Sequence, residues 1–117
     1  MNGEGPASQL RDLRDRADQD FLTPADPNAS REAGRHQVDL IELGLRVACT
    51  RARYPNRPDG TDLYVVTVSR LALNAQPQVA EAQTVLSLLF GRSAGRVEER
   101  PSGPLIRSYR VAAAATE

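Results

Sequence analysis

The clearest alternation in the chain runs from Asp62 to Leu73 (DLYVVTVSRLAL). Leu63, Val65, Thr67, Ser69, Leu71 and Leu73 fall on one side of a period-two repeat. Tyr64, Val66, Val68, Arg70 and Ala72 fall on the other. β-Branched and aromatic residues dominate its first half, which predicts a strand. Both sides are apolar in the middle, so the strand is expected at the centre of its sheet with cover on both faces. The period changes after Asn74-Ala75-Gln76. Pro77 suits the first position of a helix, Val79, Ala82, Val85, Leu86, Leu89 and Phe90 recur at helical spacing, and Gly91 is placed to end it.

Residues 31–53 carry two patterns at once. Ile41, Leu43, Leu45, Val47 and Cys49 alternate, as in a strand. Asp39, Glu42, Arg46, Thr50 and Arg53 form a polar stripe at helical spacing, beside an apolar face of Val38, Ile41, Leu45, Ala48 and Ala52 that Leu40, Leu43 and Val47 widen. Glu42 and Arg46 are an i, i+4 pair in the favourable order, Ser30 is placed to cap, and Tyr54-Pro55 stops the segment. One long amphipathic helix of about 34 Å is the favoured reading, although Gly34 and Gly44 weaken it and the strand stays open.

Before this segment, Leu10, Leu13, Ala17 and Phe21 make a thin helical stripe between Gly/Pro-rich stretches. A helix this short is marginal alone in water, so residues 1–29 are expected to be a flexible or loosely docked acidic tail that adds little to folding. After Gly91, two runs flank Pro101-Ser102-Gly103-Pro104: Arg96 to Arg100, and Leu105 to Val111. They predict a β-hairpin with a four-residue turn. The expected architecture is a small two-layer α+β domain over residues 30–114, in the order α-β-α-β-β, with residues 115–117 frayed.

Composition narrows the class. The chain has 117 residues, 40% hydrophobic and 4% aromatic, with no Trp. Its core therefore rests on Leu, Val and Ala, which bury less area per residue than rings. All fifteen basic residues are Arg, and they balance fifteen acids. A total lack of Lys fits the codon bias of a GC-rich genome better than selection for bidentate anion contacts. Residues 1–30 hold three Arg against six acids, and no segment has the basic excess of a dedicated nucleic-acid binder. A single cysteine, Cys49, excludes a disulfide framework and a zinc cluster. No signal peptide or membrane span is visible, so the cytoplasm is the expected location.

Candidate chemistry is sparse. His36 is the only histidine; on one helix it would stand about 20 Å from Cys49, too far for a nucleophile–base pair. One His and one Cys cannot supply a metal's ligands. The Gly91–Arg96 loop follows a helix instead of opening one, the wrong pole for a phosphate. Glu98 and Glu99 are adjacent, so in a strand they point to opposite faces. No catalytic residue, metal or cofactor is expected.

Arg96, Arg100, Arg107 and Arg110 all fall on the expected hairpin and are candidate nucleic-acid or anion contacts. A helix followed by an Arg-bearing hairpin with a Pro/Gly tip resembles the recognition helix and wing of winged-helix DNA-binding domains, over residues 77–111. That resemblance implies duplex binding, yet the helix itself has no Arg. The favoured expectation is instead a non-enzymatic interaction or regulatory module that self-associates, and a structural subunit of a larger assembly is a further alternative. Surplus apolar surface marks interfaces on small proteins, which places a homo-oligomer contact at Leu40, Leu43 and Val47, or on the outer face of the central strand at Tyr64 and Val66.

Overall fold

The computed structural model describes residues 5–22, 31–32, 35–53, 62–91 and 94–113. In chain order these form α1 (Pro6–Leu22), β1 (Arg31–Glu32), β2 (His36–Leu40), β3 (Leu45–Arg53), β4 (Asp62–Arg70), α2 (Val79–Phe90), β5 (Ala94–Arg100) and β6 (Ile106–Ala113). The strands make one antiparallel sheet in the order β1-β3-β4-β6-β5, and β2 also pairs with β3. The molecule is thus α+β, with two helices packed on one sheet. Among the described residues no helix is long and apolar enough to cross a membrane.

The expected central strand is central. β4 lies between β3 and β6, pairing Val66 with Cys49 on one side and with Tyr109 on the other. Tyr64, Val66 and Val68 point to the helices and are buried. On the second face, also expected to be covered, no helix packs among the described residues; Leu63 and Ala48 are nevertheless buried there, while Val65 and Thr67 are half-buried.

The helix expected over residues 31–53 is instead a β-hairpin. Leu40 pairs with Leu45, and residues 41–44 turn between them with Leu43 N–H donating to the Leu40 carbonyl. Gly44 sits at φ 68°, a left-handed conformation that a side chain resists and a helix interior does not use. The helical stripe had counted Ile41 and Leu43, which are turn residues; Ile41 is 74% exposed. Across the strands Arg46 makes a bidentate contact with Asp39, Nε to Oδ1 at 2.7 Å and Nη2 to Oδ2 at 3.1 Å, which fixes the register. That hydrogen bond holds the Asp39 carboxyl below its usual range.

The N-terminal segment also differs from expectation. Leu10, Leu13 and Ala17 are fully buried, in the same cluster as Leu40, Val47 and Tyr64. Pro6 starts α1, where its missing N–H costs nothing. The stripe is thin because it fills the groove between the hairpin and α2, and it needs no wider face. Arg14 ties α1 to α2 and β4: it donates to the Leu89 carbonyl at 3.1 Å and lies over the rings of Tyr64 and Phe90. Those two rings meet edge to face at 5.1 Å.

α2 begins after Pro77, with the Gln78 N–H donating to the Glu81 carboxylate at 2.9 Å, and it ends at Gly91, φ 54°. Two further contacts lash it to the sheet. Arg70 of β4 donates to Glu81 at 2.7 Å, and Arg107 of β6 donates to the Pro77 carbonyl at 2.6 Å.

Candidate functional site

The fold brings His36 and Cys49 together, contrary to the separation that a single helix would impose. They are cross-strand partners on the helix-facing side of β2 and β3. His36 Nε2 lies 2.5 Å from the Asp20 carboxylate of α1, so His36 stands between Cys49, its strand partner, and Asp20. Their chemistry is still not that of a nucleophile. Cys49 is fully buried in the core cluster, and no hydrogen bond joins its sulfur to the imidazole among the described residues. Burial, with the Asp18 charge adding to it and Arg14 opposing, pushes the thiol up to about 12. Activated cysteines go the other way, to a low pKa and an open approach.

A second polar cluster lies under α1. Asp18 Oδ1 accepts from the Tyr64 hydroxyl at 2.8 Å and from Arg51 Nη1 at 3.0 Å. Burial first, then the hydrogen bond to Asp18, raise the Tyr64 phenol above its ordinary value, so it stays a neutral donor. Sequence reading passed over this group. Its only trace was Arg14 and Asp18 four residues apart, flanking the Leu10–Leu13–Ala17 stripe. Among the described residues, one open cleft of about 400 Å³ lies at Ser8, Asp12 and Val38, and another of about 510 Å³ at Gln76, Arg100 and Ser102. Neither is lined by Asp18, Tyr64 or Cys49. Among the described residues no group of His, Cys, Asp and Glu is arranged to hold a metal.

The candidate interface residues are mostly core residues. Leu40, Val47, Tyr64 and Val66 are buried within the chain itself. The cover they needed is α1, which packs against β2 and β3. A second copy cannot reach them while α1 is docked. Leu43 alone keeps exposure, in the β2–β3 turn.

The four candidate Arg residues divide. Arg110 pairs across the strands with Glu98, and Arg96 and Arg100 flank Glu98 at 3.5 and 3.8 Å; these three arginines lie on the open face. Arg107 pairs with Val68 and lies on the helix side, bound to Glu99 at 2.6 Å. Its neighbour Tyr109 is buried with no partner for its hydroxyl among the described residues. α2 and the three open-face arginines therefore occupy opposite sides of the sheet. One duplex cannot meet both in the way a recognition helix and wing meet it.

Two further surfaces stand out among the described residues. The outward side of α2 carries Val79, Ala80, Gln83, Thr84, Ser87 and Leu88, all exposed and none charged, in a chain that is 26% charged. The other is the outer edge of β5, which hydrogen-bonds β6 on one side only. Comparison with protein-family models, with curated proteins and with solved structures returns no match to this chain.

Proposed function

We propose that the protein is a non-enzymatic, self-associating interaction module of the cytoplasm, which offers the outward face of α2 to a protein partner. The observation that carries this reading is the absence of charge on that face. Exposed helix faces are ordinarily charged, and the cores of protein interfaces are depleted of charge. Here the one acidic residue of the helix, Glu81, is turned to Arg70 and the sheet. The buried thiol and the neutral Tyr64 phenol favour a structural role for the groups beneath α1.

A second reading, polyanion binding, draws on Arg96, Arg100 and Arg110 sharing the open face. Glu98 sits among them, and the described aromatic rings lie on the helix side, where they cannot stack on bases. We rank it second and expect no salt-sensitive mobility shift with duplex or single-stranded nucleic acid at moderate salt.

Photo-crosslinking tests the first reading. A photoreactive residue in place of Ser87 should give a discrete protein adduct in cells. The same group in place of Asp12 on α1 should not. Adding Gln83→Glu and Leu88→Arg should remove the adduct. No adduct at Ser87, or equal adducts at both positions, contradicts the reading.

A further inference from the structure

β5 is an edge strand of seven residues; its pairing with β6 is regular from Val97 to Arg100 and shifts register between Ala94 and Val97, so Arg96 lies in an irregular stretch beside the regular one. A free strand edge presents unpaired N–H and C=O groups to any second strand. The opposite edge is less available, since it is divided between β1, of two residues, and β2, of five, where His36 is tied to α1. β5 also lies beyond the cover of the helices. α2 is anchored over β4 and β6, and Val97, on the helix side of β5, is 43% exposed.

Edge strands are commonly protected by charge, and here the order of the charges selects a partner. Arg96, Glu98 and Arg100 share the open face; Val97 and Glu99 share the helix face. We propose that a second copy of this chain pairs antiparallel along β5, with Val97 opposite Val97 of the partner subunit. The inference deepens the self-association named above and does not depend on what α2 binds.

Symmetry leaves few alternatives. A two-fold axis normal to the sheet keeps each face with its like, so residues of the same parity oppose one another. Centred on Val97, the pairing sets Arg96 against the partner's Glu98, and Glu98 against the partner's Arg96. It also joins two exposed valines. Centred on Glu98, it sets Glu98 against Glu98 and Arg96 against Arg100, both repulsive. Centred on Glu99, it sets Glu98 against the partner's Arg100 favourably, but it opposes two Glu99 carboxylates at the axis and sets Val97 against Pro101, which has no N–H to donate. Opposite charges directly across strands stabilise a pair and like charges destabilise it.

Charge exchange tests the register, with sedimentation velocity at high micromolar concentration as the readout. The Arg96 side chain is 79% exposed and Glu98 is also at the surface, but Glu98 faces Arg110 across β5–β6, so the thermal midpoint of each variant is measured alongside and is expected to match the wild type. Arg96→Glu alone and Glu98→Arg alone should each weaken the dimer by about tenfold or more. The double variant should restore it, and mixing the two single variants should give a heterodimer. A dimer that persists in both single variants overturns the β5 pairing while leaving self-association intact. Failure of the mixture and the double variant to dimerise overturns the register, and a monomeric wild type overturns the pairing together with self-association.

Discussion

Cys49 and Asp18 show what single side chains do in this molecule. The Cys49 thiol stays protonated in the native state to about 12 but ionises near 9.0 when exposed. As pH rises past 9.0 the unfolded chain loses its proton first, so the stability associated with this group is present below 9.0 and fades as pH approaches 12. Denaturant unfolding across that range should show stability falling with pH, and Cys49→Ala should flatten the first part of the fall. A steep fall unchanged in Cys49→Ala would place its origin elsewhere, with Tyr64 the next candidate, since its phenol is raised as well. Asp18→Ala removes the acceptor shared by Tyr64 and Arg51. Asp18 is half-buried, so its loss should cost about 1 kcal/mol, the lower end of the range for a buried acceptor, readable as a lower denaturation midpoint, and Tyr64→Phe should cost less because it leaves the Asp18–Arg51 pair in place.

At the scale of elements, the chain was legible where local pattern and boundary residues agree. β4 declared itself through an unbroken run of β-branched residues apolar on both sides, and α2 through Pro77 and Gly91 around a helical stripe. The β5–β6 hairpin followed from its Pro/Gly turn. Residues 36–53 misled because two exposed turn residues, Ile41 and Leu43, happen to continue an apolar helical face. The left-handed Gly44 between the strands was the signal against it. For α1 the local pattern could not decide. Leu10, Leu13 and Ala17 form a stripe too thin to announce burial, and only the groove between the β2–β3 hairpin and α2 gives it a place. α1 is accordingly expected to be essential to the fold. Leu13→Ala should destabilise by about 2–5 kcal/mol, as buried leucines do, whereas Leu73→Ala, at a 63% exposed site, should change little. Removing residues 1–22 should abolish the cooperative thermal transition; an unchanged midpoint would mean that the burial of α1 stabilises nothing.

The whole molecule is an antiparallel sheet with both helices on one side, and its candidate sites follow from that division. Residues expected at an interface are interior because α1 supplies their cover. Arginines expected to act together are separated by strand parity, which a sequence reveals only once the strand register is known. The uncharged residues around Glu81 in α2 and the alternating charges of β5 were visible as strings of letters, but their significance depended on which sides the fold leaves outward. Self-association is the claim that the functional reading and the β5 pairing share. Its most direct test is the mass of the full chain in solution by light scattering as concentration is raised into the high micromolar range. The account predicts a mass approaching twice the 12.7 kDa of one chain. A mass that stays at that of one chain across the range contradicts it.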